Sequence, residues 1–349
     1  MKSRKCIAVR ILVLLCLTWG NQLYGQVKEA SEIKRIWDFG THNAFTDITY
    51  FKGKFYTVFR EAEGHLPKMD NSGNGKIRIL SSVDGEFWES AGLIELPGID
   101  LRDPKVSLTP KKRLMILMGG SKYEKQELQS ITSYYAISDP NGNKFSSPEP
   151  VLLPAQIKSD FNWLWRVSWY DKTGYGVVYQ SNADGEKGKS KAYLVSTDKG
   201  EEYELVTELK IDGNPSEATI RFMSGAEMVM LVRRDGGDRK AMLGTSKAPY
   251  TDWSWQKLDF EVGGPNLEVI PINKILIGAR LQGEDGPYTA LLLGKKGEDF
   301  REVKRLPSGG DTGYPGFYSI AGYIWLSYYS SHEGKASVYY SRIPYAELK

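Results

Sequence analysis

The sequence repeats one hairpin pattern at similar intervals, and this repeat constrains the fold more than any other feature. The clearest copy spans residues 196–203, where Ser196, Asp198, Gly200 and Tyr203 fit the pattern S-x-D-x-G-x-x-aromatic. Shorter or looser copies occur at residues 82–88, 138–145, 246–253 and 294–300. Successive copies are 57, 58, 50 and 47 residues apart when measured between their closing aromatics, which are Trp88, Phe145, Tyr203, Trp253 and Phe300.

Repeats of this length with four strands each are typical of β-propeller blades. Six inner strands are expected to open near Phe45, Pro104, Val167, Ala218, Leu267 and Pro315. The last unit contains only three strands, and residues 33–39 can supply the fourth, which would join the first and last blades. We therefore predict an all-β fold, a six-bladed β-propeller of four-stranded antiparallel blades closed by an N-terminal strand. A scattered set of β-hairpins is the alternative.

The first 25 residues have the pattern of a secretory signal peptide. Lys2, Arg4 and Lys5 form a basic start, residues 6–17 are almost wholly apolar, and Gly25 offers a small residue for cleavage. The apolar run is too short for a membrane span. We expect a signal peptide at residues 1–25 and a single propeller domain at residues 26–349. A lipid anchor through Cys16 is the alternative.

Charge and cysteine content restrict the partners and the compartment. Removing residues 1–25 removes four basic residues and both cysteines, which changes the net charge from +3 to −1. A chain without cysteines has no disulfides, so packing alone must stabilise it. A balanced charge argues against a nucleic-acid partner. We expect export to a bacterial periplasm or cell surface, no membrane span, and a monomer.

The propeller topology predicts where polar residues can converge. The start of each first strand and the end of each second strand lie on one face, whereas the repeated hairpins lie on the other and their aspartates are expected to be scaffolding. The presence of any single polar residue on the first face can be explained by an ion pair between blades as well as by function. The convergence of such residues from six blades favours a functional site. The strand starts on that face are Asp47, Asp103, Arg166, Glu217, Asn266 and Tyr314. The strand ends add Arg60 with Glu61, Arg233 with Arg234, Arg280, and the loop at residues 328–332.

The hairpins, the six blades and this axial order resemble the sialidase superfamily over roughly the whole of residues 26–349. That resemblance implies three arginines that hold the carboxylate of the sugar, a Tyr–Glu pair as nucleophile and base, and an Asp as acid/base. Glu217 and Arg233, 16 residues apart, resemble the glutamate and the second arginine, Arg280 the third, and Tyr314 the nucleophile. Residues 42–47, 101–105 and 330–335 resemble an exported bacterial sialidase-like family.

Two features depart from the sialidase pattern. Residues 44–47 stand where sialidases carry their first arginine, so Arg60 or Arg102 would have to replace it. The acid of the family lies in the loop after the second strand, where this chain offers Glu61, Glu63, His65 and Asp70. If the sugar carries no anomeric carboxylate, Asp47, Asp103 and Glu217 could instead supply an ordinary acid–base pair.

We expect a secreted, sialidase-like exo-glycoside hydrolase that releases a terminal carboxylated sugar from an acidic glycan. A lyase acting on uronate polysaccharides and a non-catalytic glycan-binding propeller are the alternatives. The candidate catalytic residues are Tyr314, Glu217, Asp103 and Asp47. The candidate substrate-binding residues are Arg60, Glu61, His65, Arg102, Arg166, Arg233, Asn266, Arg280 and His332.

No cofactor and no metal site are expected from the sequence. His42, His65 and His332 all fall in predicted loops at the rim, and no two of them have metal-ligand spacing on one element. His65 or His332 could instead contact substrate or transfer a proton. Trp163, which precedes an inner strand, could form a sugar platform, although tryptophans in its position also pack in blade cores.

Overall fold

The computed structural model describes residues 31–349, of which Ile33–Lys349 form one compact unit. The predicted signal peptide lies outside the described residues. Within residues 31–349, no helix is long and apolar enough to span a bilayer. The strands are β1 (Ile33–Trp37), β2 (His42–Phe51), β3 (Lys54–Ala62), β4 (Lys76–Ser82), β5 (Glu89–Ile94), β6 (Asp100–Leu108), β7 (Leu114–Glu124), β8 (Glu127–Ile137), β9 (Glu149–Pro150), β10 (Asn162–Tyr170), β11 (Thr173–Ser181), β12 (Ser190–Thr197), β13 (Glu204–Leu209), β14 (Pro215–Phe222), β15 (Met228–Arg234), β16 (Lys240–Ser246), β17 (Ser254–Glu261), β18 (Gly263–Ile270), β19 (Lys274–Gly283), β20 (Gly286–Gly294), β21 (Arg301–Arg305), β22 (Thr312–Ile320), β23 (Tyr323–Ser330) and β24 (Ser337–Pro344). Short 3-10 helices lie at Ala155–Ile157, Ala183–Gly185, Ser224–Ala226 and Tyr345–Glu347.

The strands form six four-stranded antiparallel sheets, so the predicted six-bladed propeller is confirmed. Blades 1 to 5 each use four consecutive strands, from β2–β5 to β18–β21. Blade 6 has the order β22-β23-β24-β1, in which β1 pairs antiparallel with β24. The fourth strand of the last blade therefore comes from the N-terminal side, as the sequence predicts, and this pairing closes the ring.

Apolar residues on alternate strand positions fill the spaces between neighbouring blades. Val58 and Ile79 of blade 1, for example, share one buried cluster with Val106 and Ile116 of blade 2. Because both faces of a blade pack against neighbours, the inner strands are buried over most of their length. The packing fixes the orientation of each blade, and hence of the residues at its axial end.

Every inner strand contains a β-bulge close to its start. The register shifts lie at residues 44–47, 102–105, 164–167, 215–218, 263–266 and 313–316. Each inner strand therefore starts three to five residues before the predicted opening, at His42, Asp100, Asn162, Pro215, Gly263 and Thr312. The predicted openings are late because a bulge breaks the two-residue alternation on which strand prediction depends.

The repeated hairpins lie at the opposite end of the blades, where their polar side chains bind backbone. Oδ1 of Asp84 accepts the N–H groups of Glu86 and Phe87 at 2.8 and 3.1 Å. Oδ1 of Asp139 accepts those of Asn141 and Asn143, both at 2.9 Å. These carboxylates stabilise tight turns and lie away from the residues of the axial face.

The stack between Phe55 and Trp325 provides a test of ring closure. The two rings join blade 1 to blade 6 with centroids 3.6 Å apart, and both side chains are buried. We expect Trp325→Ala to lower the free energy of unfolding by about 3–5 kcal/mol, because it leaves a cavity between these blades. Chemical denaturation can measure this loss. Ile272→Ala, at a residue that is 84% exposed, should leave the midpoint unchanged.

Candidate active site

Tyr314 and Glu217 meet at the axial end of the propeller, although their inner strands lie two blades apart. The hydroxyl of Tyr314 donates a 2.7 Å hydrogen bond to Oε1 of Glu217. Nη1 of Arg233 lies 3.0 Å from the same oxygen, and Oε2 accepts the backbone N–H of Gly264 at 2.7 Å. Tyr314 is only 8% exposed and Glu217 only 5%. Three of the sequence-predicted site residues, Tyr314, Glu217 and Arg233, are therefore joined by a hydrogen bond and an ion pair, and we call them the axial group.

Gly264, in the bulge of β18, allows this group to form. Its φ is +58°, in the left-handed region that favours glycine. A Cβ at this position would lie 2.4 Å from Cγ of Tyr314. Any larger residue would displace either the tyrosine ring or the backbone N–H that binds Glu217.

The surroundings of Tyr314 and Glu217 favour a neutral phenol and a charged carboxylate. Burial raises the pKa of Tyr314 well above its usual value, and the charges of Glu217 and Asp103 raise it further. Burial would also raise the pKa of Glu217, but Arg233, the Tyr314 hydroxyl and the Gly264 N–H together lower it below its usual value. At neutral pH the carboxylate of Glu217 is therefore charged and accepts a hydrogen bond from the neutral phenol.

Asp103 and Lys105 add two buried ionisable groups beside Tyr314. Asp103 lies in the bulge of β6 with a φ of +51°, and its Oδ1 has no hydrogen-bond partner. Burial raises the pKa of Asp103, although Arg102 and Lys105 act to lower it. Nζ of Lys105 lies 4.5 Å from the ring centroid of Trp165 and 5.6 Å from that of Tyr314. Lys105 is not among the site residues predicted from the sequence, although its place two residues after Asp103 could have identified it.

Aromatic rings surround these ionisable groups. Phe45 packs edge-on against Tyr314 with ring centroids 4.7 Å apart. Trp163 stacks on Tyr179 at 6.0 Å, with 14° between the ring planes. Trp163 and Trp165 are both buried in one cluster with Tyr314. An apolar surrounding of this kind strengthens the electrostatic interactions within it.

Lys105 and Arg280 are cations beside Tyr314 without an acidic partner among residues 31–349. The guanidinium carbon of Arg280 lies 5.9 Å from the Tyr314 ring centroid, and its side chain is half-buried. In the described part of the chain, no carboxylate oxygen lies within 4 Å of a cationic nitrogen of either residue. Arg233, by contrast, is shared between Glu217 and Asp235. The two unpartnered cations can attract an anionic ligand.

Arg60, Arg166 and Asp47, which the sequence assigns to the site, are held in buried ion pairs. Arg60 donates to Oδ1 of Asp100 through Nη2 at 2.7 Å and through Nε at 3.1 Å. Arg166 donates to both oxygens of Asp47 at 2.8 and 3.2 Å, and Asp47 also accepts the N–H of Val106. These pairs join blade 1 to blades 2 and 3. Their charges are therefore already engaged with protein groups.

Arg102, Asn266, Glu61 and His332 also contact other protein groups. Nη1 of Arg102 donates to a tyrosine hydroxyl of β7 at 2.9 Å, and Nδ2 of Asn266 donates to the Pro315 carbonyl at 3.0 Å. Glu61 lies 2.7 Å from a guanidinium nitrogen on β4. His332 is exposed, with Nδ1 3.0 Å from a serine hydroxyl of β23. None of these four residues contacts Tyr314 or Glu217 directly among the described hydrogen bonds and ion pairs.

Two histidines that are far apart in sequence converge on Asp311. Nε2 of His42 lies 2.8 Å from Oδ2 of Asp311, and Nδ1 of His65 lies 4.0 Å from the same oxygen. Burial would raise the pKa of Asp311, but the two imidazoles and the hydroxyl of Tyr329 hold it well below its usual value. Asp311 is not among the site residues predicted from the sequence, although it lies only three residues before Tyr314.

Comparison with solved structures identifies the fold. A protein of unknown function from Dyadobacter fermentans matches with a TM-score of 0.75 at 18% identity, over 90% of this chain and 98% of the other. An α-L-arabinofuranosidase from Fusarium graminearum matches with a TM-score of 0.70 at 12% identity, over 91% and 99%. A Trypanosoma rangeli sialidase, in complex with the inhibitor DANA, matches with a TM-score of 0.66 at 14% identity. That match covers 87% of this chain but only 55% of the sialidase.

The fold of this chain is therefore that of the sialidase and arabinofuranosidase propellers, which confirms the resemblance predicted from the sequence. No protein-family model matches the sequence, and neither does any curated protein. At these identities the comparisons establish the fold alone. Any activity has to be argued from the residues of the axial group.

The buried lysine gives the protein a pH-dependent stability. Burial, reinforced by Arg166, lowers the pKa of Lys105 to about 8, so between pH 8 and 10.5 the folded chain binds fewer protons than the unfolded one. The contribution of Lys105 to the free energy of unfolding therefore rises with pH across this window. We expect Lys105→Met to stabilise the protein at pH 7 by up to about 3 kcal/mol, and this gain should shrink towards pH 10.

Denaturation midpoints at several pH values measure the effect of Lys105→Met. Lys111→Met is the matched control, because this lysine is exposed and its replacement should leave the pH dependence of the midpoint unchanged. A Lys105→Met gain that stays constant from pH 7 to pH 10 would contradict the assignment of a lowered pKa to Lys105.

Proposed function

We propose that this protein is an exported exo-glycoside hydrolase that uses a sialidase-type mechanism on a terminal, carboxylated sugar. In this proposal Tyr314 is the nucleophile, Glu217 is its base, and Asp103 is the acid/base. The observation that carries the proposal is the buried 2.7 Å hydrogen bond from Tyr314 to Glu217, with Arg233 beside the carboxylate. A tyrosine hydroxyl becomes a nucleophile only when an adjacent base removes its proton.

The proposed reaction takes place in two steps. In the first, Oη of Tyr314 bonds to the anomeric carbon, its proton passes to Glu217, and the glycosidic bond breaks as Asp103 protonates the leaving oxygen. In the second, Asp103 takes a proton from water, whose oxygen bonds to the anomeric carbon. The bond between the sugar and Tyr314 then breaks, and the phenolate recovers its proton from Glu217. Sialidases with a tyrosine nucleophile are a known exception to the two-carboxylate rule for glycosidases.

The raised pKa of Asp103 fits the role of acid, because burial favours the protonated carboxyl group, which is the form that can donate a proton to a leaving oxygen. Asp47 is a weaker candidate, because Arg166 and the Val106 N–H already occupy both of its oxygens. The small exposed area of Tyr314 favours attack on a terminal sugar rather than within a chain.

The charges around Tyr314 favour a carboxylated sugar. A neutral phenol can approach a carbon that bears a carboxylate without the repulsion that a carboxylate nucleophile would meet. Lys105 and Arg280, both beside the Tyr314 ring, can hold that carboxylate. Lys105 would then supply the cation for which the sequence pattern offered Arg60 or Arg102. Of the similar structures, the sialidase is described with the inhibitor DANA and with sialic acid.

A panel of sialylated, uronated and neutral glycans is first screened for a substrate. The assignment of Tyr314 as nucleophile is then tested on that substrate. We expect Tyr314→Phe and Glu217→Gln each to reduce kcat by about a thousandfold or more, because both act in the same bond-forming step. Product analysis and initial rates measure the effect. Tyr340→Phe and Glu227→Gln are matched controls outside the axial group and should retain normal rates.

Different outcomes separate the alternatives to this proposal. Near-normal turnover by both Tyr314→Phe and Glu217→Gln would rule out the tyrosine mechanism. An unsaturated product with new ultraviolet absorbance would indicate a lyase. Binding to a glycan without turnover by the unmodified protein would indicate a glycan-binding propeller.

Arg280 provides a separate test of substrate charge. We expect Arg280→Met to raise KM for a carboxylated substrate by about ten- to a hundredfold, which corresponds to the loss of one hydrogen bond to a charged group. The KM for the corresponding sugar amide should change much less. Arg301→Met, at an exposed residue of β21, is the matched control. Equal effects of Arg280→Met on the acid and on the amide would contradict a carboxylate contact at this residue.

A further inference from the structure

We propose that His42, His65 and Asp311 form a binding site for zinc or a similar divalent transition-metal ion where blades 1 and 6 meet. The candidate ligand atoms are Nε2 of His42, Nδ1 of His65 and Oδ2 of Asp311. All three lie within 4.8 Å of one another. The proposal concerns a site separate from the Tyr314–Glu217 pair and does not depend on the proposed glycosidase activity.

The distances between these atoms suit a small metal ion. Zinc binds imidazole nitrogen and carboxylate oxygen at about 2.0–2.2 Å, so two ligands at tetrahedral angles lie about 3.3 Å apart. The observed separations from Oδ2 of Asp311 are 2.8 Å to His42 and 4.0 Å to His65. Shifts of about an ångström or less would therefore bring both pairs to that value. His65 is the more exposed histidine, in a loop, and can make this adjustment.

The protein already orients Asp311 and His65. The hydroxyl of Tyr329 donates a 2.8 Å hydrogen bond to Oδ1 of Asp311, which leaves Oδ2 to face the histidines. The backbone N–H of Asp311 donates a hydrogen bond to Oγ of Ser331. The backbone carbonyl of His65 accepts a hydrogen bond from Nη2 of Arg102. Partners of this kind, which orient a metal ligand through its other atoms, are typical of metal sites in proteins.

A buried polar atom also requires an explanation at this position. His42 is buried, and its Nδ1 has no hydrogen-bond partner. The imidazole is therefore held by Nε2 alone, the atom that would bind the cation.

The donor set indicates which cation the site prefers. Two imidazoles and one carboxylate suit zinc and similar transition metals, whereas magnesium and calcium prefer oxygen ligands alone. Three protein ligands leave at least one coordination position open, and the exposure of Asp311 and His65 places that position towards solvent. The site can therefore also take an oxygen ligand such as water. Phe45, which contacts both His65 and Tyr314, separates it from the axial group by one ring.

Zinc titration of the full chain tests the proposal. Cys6 and Cys16 are first replaced by serine so that no thiolate binds the ion, and bound metals are removed with a chelator. We expect calorimetry with zinc chloride to show one ion per chain and a raised thermal midpoint. His65→Ala and Asp311→Asn should each weaken zinc binding by about a hundredfold or more, since loss of outer partners alone costs 10–100-fold. Excess magnesium should not compete.

His332→Ala is the matched control, because this exposed histidine lies outside the cluster and its loss should leave the zinc affinity unchanged. His65→Ala is the decisive variant, because the exposed side chain of His65 can be removed without opening the core, whereas His42 is buried. The proposal is wrong if the parent chain binds no zinc. It is also wrong if His65→Ala and Asp311→Asn bind zinc as tightly as the parent does.

Discussion

The β-bulge near the start of each inner strand positions the residues of the axial group. An uninterrupted strand would direct successive side chains alternately to the two faces of a blade, and few would point along the propeller axis. A bulge turns the chain locally and re-aims side chains at the end of the sheet. Phe45, Asp103, Gly264 and Tyr314 all have positive φ angles within these bulges. For the three of these residues that are not glycine, such a conformation is strained and persists only where the surrounding structure over-determines it.

The charged residues of the axial face differ in whether an oppositely charged residue of the protein pairs with them. Arg60 with Asp100 and Arg166 with Asp47 are closed pairs that join neighbouring blades. Buried pairs of this kind are costly to break because the remaining partner is left uncompensated. Lys105 and Arg280, in contrast, lie against aromatic rings without a carboxylate partner among the described residues. Their positive charge is therefore available to a ligand.

The comparisons illustrate how little a propeller fold says about its substrate. A sialidase and an arabinofuranosidase match this chain with similar TM-scores, 0.66 and 0.70. At 14% and 12% identity, both similarities concern the fold alone. Substrate preference depends instead on a few side chains at the strand starts, and these can differ while the scaffold stays the same.

The blade count, the closing strand and the face on which polar residues gather can all be predicted from the amino-acid sequence, because hairpin spacing and strand alternation are local patterns. The sequence also placed Tyr314, Glu217 and Arg233 in one group, since strand starts must converge on the propeller axis. It could not separate Arg60, Arg166 and Asp47 from that group, because ion pairing depends on contacts between blades. The tertiary structure likewise brings Lys105 beside the Tyr314 ring and His42, His65 and Asp311 together, since residues 23 to 269 positions apart become neighbours only when the ring closes.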